Sequence, residues 1–186
     1  MTLLEMKKKV LGLIEELDAD SEYLTEDPDI QTKINDVTNQ ILYELARMKK
    51  IPKYVELSVT EGELVDFAAI EAAAGNEIYQ VSVFGGVDNL PKANGTIYKI
   101  LESGVAEIEC FVYPERITET TKDSYEFELS ADALEIMPYG IAADLLKSDV
   151  STEYGSVYAQ RYETMLQRLD PRYAMGSITI EGGVTI

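Results

Sequence analysis

Leu3, Leu4, Val10, Leu11, Leu13, Ile14 and Leu17 recur at helical spacing and make a broad apolar face. Thr2 followed by Glu5 has the spacing of a capping box at its start. An acidic connector from Asp18 leads to Asp27-Pro28, a good N-cap with proline in the first helical turn. From there Ile30, Ile34, Val37, Ile41, Leu45 and Met48 recur at steps of three and four, which predicts one long amphipathic helix. Arg47, Lys49 and Lys50 suit the negative end of its dipole, and Pro52 stops it.

The period then changes to two. Tyr54, Glu56, Ser58 and Thr60 alternate with Val55, Leu57 and Val59, and this predicts a strand. Leu64–Ile70 reads as another short strand and Glu71–Gly75 as a loop. Ile78–Phe84 reads as a strand ending at Gly85-Gly86, and Asn94-Gly95 as a tight turn that leads into Thr96–Leu101. Val105–Tyr113 and Tyr125–Leu129 complete about six strands. Helical spacing returns at Ser130, a cap for a short turn over Ala131–Ile136, and Pro138 starts a new helix or kinks this one. Ile141, Ala142, Leu145 and Leu146 form a buried side. Tyr154, Tyr158, Tyr162, Met165 and Leu169 lie on one stripe of a last helix.

These elements predict an α+β protein: a helical bundle of about four helices with an inserted antiparallel β domain, sandwich or small barrel, and a C-terminal β tail. The helical domain is discontinuous, over 1–52 and 130–172. The β domain spans 53–129 and the tail 173–186. In the tail, Ser177, Ile178, Thr179, Ile180, Val184 and Ile186 form an alternating strand with no hairpin partner beside it. Such a strand pairs with a distant strand, with another chain, or with nothing.

Composition narrows the function. The 186 residues carry a formal charge of −18, more than half of it between positions 53 and 130. So acidic a surface repels nucleic acid and anionic lipid, although it suits the wall of a channel through which DNA slides without sticking. There is no histidine, which removes the commonest general base and metal ligand. The single cysteine, Cys110, sits in an apolar alternation and reads as a buried small hydrophobe. The absence of a disulfide framework fits a reducing compartment, and the first residues lack the charge order of a signal peptide. No apolar run approaches the ~20 residues of a membrane span.

The glycine pairs lack phosphate-binding spacing and read as turns or bulges. Glu107 with Glu109, and Glu126 with Glu128, share strand faces. Such pairs serve glycoside hydrolysis or a hard cation, or are simply solvated. The acidic stretch 18–29 lacks the glycine of a calcium loop. The tyrosine stripe suits either a helical core or an interface. No catalytic residue, metal or cofactor is expected.

The stretch from Ser130-Ala-Asp-Ala-Leu-Glu through Ala142-Ala-Asp-Leu-Leu-Lys to Tyr162-Glu-Thr-Met-Leu-Gln-Arg-Leu169 resembles the closing helical hairpin of tailed-bacteriophage head–tail connector proteins, also called adaptor or head-completion proteins. The resemblance covers about 40 residues, and the order of helices, β insertion, helices and tail is similar to the larger members. It implies a virion component of a phage or prophage, assembled in the host cytoplasm as a homo-oligomeric ring. Its partners would be the portal protein and a downstream stopper or tail-completion protein, with DNA passing without specific binding. It also implies that the tail strand grips the portal, each added backbone hydrogen bond contributing ~1 kcal/mol. Two other readings stand beside it. One is a ligand- or carbohydrate-binding module of a phage tail or baseplate protein, presenting Tyr79, Phe84, Tyr98, Phe111 or Tyr113 as an aromatic patch. The other is an enzyme working through paired carboxylates.

Overall fold

A computed structural model describes residues 1–18, 20, 24–148 and 153–169. Among these residues five α-helices and six strands follow in the order α1 (Leu3–Leu13), α2 (Pro28–Lys49), β1 (Ile51–Val59), β2 (Leu64–Asp66), α3 (Phe67–Ala74), β3 (Ile78–Gly85), β4 (Asn89–Lys92), β5 (Ile97–Ile100), β6 (Gly104–Val112), α4 (Ala131–Leu145) and α5 (Tyr154–Leu169).

Local chemistry sets most helix ends. The Thr2 hydroxyl accepts from the Glu5 amide at 3.2 Å and the Glu5 carboxylate accepts from the Thr2 amide at 2.9 Å, a complete capping box. Asp27 caps α2 by accepting from the amides of Asp29 and Ile30 at 2.8 and 3.3 Å. The helix ends at Lys49, and the chain passes straight into β1, where Pro52 stands on an edge strand that needs no donor from it.

The expected bundle-plus-barrel architecture is corrected in two ways. First, the helices are not arranged as one bundle. α4 is apolar almost all round, with Ala133, Leu134, Ile136, Met137, Pro138, Gly140, Ile141 and Ala142 buried. It lies at the centre of the helical part, where α1, α2 and α5 each pack against it. Their side chains share one core that includes Leu3, Met6, Leu11, Leu42, Leu45, Met137, Ile141 and Tyr162. α3 belongs elsewhere, in the strand-rich part. Second, among the described residues no barrel is closed. The strands form two separate antiparallel sheets of three, ordered β1-β6-β3 and β2-β5-β4. α3 packs against β1, β2 and β3, and its Ile70 and Ala74 share a second core with Val55, Val65, Ile100, Ile108 and Cys110.

Three element assignments shift with this. Leu64–Ile70 is a strand only to Asp66, which then caps α3 by accepting from the Ala69 amide at 2.9 Å. Alanine-rich Phe67–Ala74 favours helix, and Gly75 at φ 72° ends it. Tyr125–Leu129 is extended but joins neither sheet. It lies against the N-terminus, where the carbonyls of Tyr125 and Asp123 accept from the amides of Leu3 and Leu4 at 2.9 and 3.1 Å. Those amides are orphan donors of the first turn of α1, which explains the attachment. Ala131–Leu145 is one continuous helix with Pro138 inside it, and the Ser130 side chain makes no cap bond to the helix backbone.

Two junctions tie the helical and strand-rich parts together. Asn39, buried on α2, donates from its Nδ2 to the Ile117 carbonyl at 2.8 Å and accepts from the Ile117 amide at 2.7 Å. Ile117 and Phe127 thereby enter the helical core, so the segment leaving β6 packs with the helices. Beside this clasp, Tyr113 stacks on Tyr43 with centroids 4.5 Å apart and meets Tyr79 at 4.9 Å. The Arg47 guanidinium lies 5.4 Å from the Tyr113 ring and donates to its hydroxyl. The Tyr79 hydroxyl donates to the Ala46 carbonyl at 3.0 Å.

Two substitutions, with a third as a control, test this packing by urea denaturation. Asn39→Ala leaves both backbone groups of Ile117 buried without partners and is expected to cost about 2–4 kcal/mol. Gly140→Ala would place a Cβ 2.8 Å from the Tyr162 ring and 3.1 Å from the Ile41 side chain, so a loss of about 1–3 kcal/mol is expected. Gly12→Ala meets nothing within 4 Å inside α1 and is expected to leave stability unchanged or raise it by up to ~1 kcal/mol.

Candidate partner-binding surfaces

Ser177, Ile178, Thr179, Ile180, Val184 and Ile186, the residues expected to grip a partner, lie outside the described residues. The other sequence candidates fall on the described surface or in its cores. The tyrosine stripe of α5 divides along its length. Tyr162 is buried against Gly140, and its hydroxyl donates to the Glu44 carboxylate at 2.8 Å. Burial, reinforced by that carboxylate, pushes its pKa far above the ordinary tyrosine value. Tyr158 is half-buried and donates to the Leu13 carbonyl at 2.6 Å, which links α5 to the end of α1. Tyr154 is 59% exposed. The stripe is therefore core at one end and surface at the other.

Cys110 is buried, and desolvation pushes its thiol above the usual value, which suppresses the reactive thiolate. The aromatic residues named for a carbohydrate platform are not freely exposed: Tyr98 and Tyr113 are buried, and Tyr79, Phe84 and Phe111 are half-buried. Phe84 stacks on Tyr98 at 4.3 Å between the two sheets. Gly86 stands at φ 79°, where a Cβ would lie 2.4 Å from the Val105 carbonyl, so that turn admits only glycine. Glu126 and Glu128 are both exposed in the extended segment beside α1. Among the described residues no group of three His, Cys, Asp or Glu could hold a metal ion, and no helix is long and apolar enough to cross a membrane.

Two concave surfaces gather several of these residues. The first is a cleft of about 420 Å³ where α1 ends, α2 begins and α4 meets α5, lined by Leu13, Ile30, Leu146 and Tyr158 with Glu15, Asp27 and Asp29 at its rim. The second is the outer face of sheet β1-β6-β3. Strand alternation sends Ala106, Ile108, Cys110 and Val112 inward and leaves Glu107 and Glu109 outside. In register, Glu107 lies directly across from Glu56, and Glu109 across from Tyr54, whose hydroxyl donates to it at 3.3 Å. Tyr54 is 76% exposed, and with Val83 it helps line a depression of about 640 Å³. Sequence alternation had marked Glu107 and Glu109 as one face. It could not mark Glu56 or Val83, which arrive from other strands.

The chain matches no protein-family model, and no curated protein matches it.

The best-formed ion pair is structural. Lys49, in the last turn of α2, lies 2.5 Å from Asp132 in the first turn of α4, so each charge also complements its own helix dipole. The hydrogen bond from Lys49, with a further one from Ser130, holds the Asp132 carboxyl down at about 2. An unfolded aspartate titrates near 3.9. The folded value is depressed, so the stabilisation is complete above about pH 4 and is lost as pH falls toward 2. Asp132 is half exposed, and solvent screening keeps the contribution below about 1 kcal/mol. Asp132→Asn is expected to lower the urea midpoint at pH 7 and to match the parent protein at pH 2.

Proposed function

We propose that the chain is a structural head–tail connector of a tailed phage or prophage, which joins or forms a ring beneath a portal and has no catalytic role of its own. The observation that carries this reading is the likeness of residues 130–169 to the closing helical hairpin of that family. The packing of those residues supports it. α4 and α5 lie together at the glycine contact between Gly140 and Tyr162, and α5 reaches back to α1 through Tyr158. The charge of −18 supports it as well, since a wall of that sign lets DNA pass without adhesion. In this reading α4 anchors the subunit, the strand-rich part projects from it, and residues 177–186 add a strand to the portal. Repetition of that weak contact around a ring supplies avidity.

Electron microscopy of the protein mixed with portal rings of its own phage or prophage is the direct test. The full chain is expected to decorate the rings, and a chain lacking residues 177–186 to lose capture by tenfold or more. Undecorated rings with the full chain would sink the reading. Equal capture by the shortened chain would remove the tail from the mechanism.

A further inference from the structure

On an acidic molecule, the surface along α5 is an exception. Arg161 and Arg168 are exposed one above the other on that helix, beside Val157, which is 53% exposed. Lys9 of α1 continues the basic line next to Arg161. Two shallow grooves of about 380 and 490 Å³ run here and share Arg161 and Met165. Glu135 is the one acidic residue in their walls among the described residues. The outer face of sheet β1-β6-β3 has the opposite character. Glu56, Glu107 and Glu109 surround exposed Tyr54 and Val83, and among the described residues no basic one lines the depression. Neither the three cations nor the three glutamates form an ion pair with another described residue.

Glu56 and Glu107 are direct cross-strand partners, an arrangement of like charges that destabilises a sheet unless a cation approaches. The edges of this sheet are poor sites for adding a strand. β1 carries Pro52, and β3 breaks register between Ile78 and Gln80 and again between Val81 and Val83. Its face, not its edge, is what it offers.

We propose that a second copy of this chain occupies that face, setting the basic, apolar-edged surface of its α5 over Tyr54, Val83 and the three glutamates. The two surfaces differ, so the contact is heterologous, and repetition closes a ring or extends a filament. It rests on the part of the connector reading in which copies pack side by side. It adds the faces that meet and the charges that select them.

Sedimentation and light scattering of the full chain test it. Association is expected at low ionic strength and should weaken at least tenfold on moving from about 50 mM to about 500 mM salt. Glu56→Lys with Glu107→Lys makes both surfaces basic, and Arg161→Glu with Arg168→Glu makes both acidic. Each double variant alone is expected to stay monomeric. An equimolar mixture of the two should associate again, which also shows that both are folded. The milder Glu56→Gln with Glu107→Gln should weaken association by a smaller factor. A parent chain that remains monomeric at ~1 mM in low salt overturns the proposal. So do double variants that assemble like the parent, and a mixture that does not associate. Portal capture is scored separately: its loss with self-association intact bears on the connector reading alone.

Discussion

Asn39 is buried in α2 and holds both backbone groups of Ile117, 78 positions later in the chain. The chain leaves the helical part once, at Ile51, and must come back to deliver α4. The return path is irregular from Tyr113 to Ser130, and its backbone groups lack a helix or sheet to satisfy them. An amide side chain offers one donor and one acceptor in the geometry of a strand partner, so a single residue replaces a missing ladder. With Ile117 pinned, Phe127 reaches the helical core and the carbonyls of Asp123 and Tyr125 meet the open end of α1. The position of α4, and so of the whole helical part, follows from that return.

The Tyr43, Tyr79 and Tyr113 cluster does related work at the seam. Its rings bury area at little cost in conformational freedom, and the hydroxyls of Tyr79 and Tyr113 still find partners. Both crossing points of the chain are thus tied within a few residues of each other. The strand-rich part is held close to α2, and among the described residues Tyr54, Glu56, Val83 and Glu107 on the outer face of its first sheet remain exposed. The distribution of charge follows the same division. The strand-rich part carries most of the negative excess, while the exposed cations Lys9, Arg161 and Arg168 sit on the helical side. An uneven field of this kind orients copies of the molecule before they touch.

Much of the local structure was readable from spacing. The apolar stripe from Ile30 to Met48, the Asp27-Pro28 cap and the alternation of β1 and β6 each report a local period and a local cap. The errors have specific causes. Leu64, Val65 and Ile70 look alike in a strand or a short helix, and the cap at Asp66 together with the alanines after it decided for helix. Tyr125, Phe127 and Leu129 alternate as a strand should, yet the groups nearest to them were the orphan amides of α1. Pro138 promised a break, but the burial of α4 on almost all sides outweighed one missing hydrogen bond. On the sheet face, Glu107 with Glu109 and Tyr54 with Glu56 were each visible in advance as alternating sets, but the meeting of the two sets was not.

The sequence alone determined the long helices and the two long strands β1 and β6, which face of each is apolar, that the composition is acidic, and that histidine chemistry is absent, because each of these depends on residues near one another in the chain or on composition. Only the tertiary structure decided that α4 is central, that the strands divide into two sheets around α3, and that Glu56 faces Glu107. Those depend on pairings between residues tens of positions apart, selected by packing and by the need to satisfy buried backbone groups, and no local period records them.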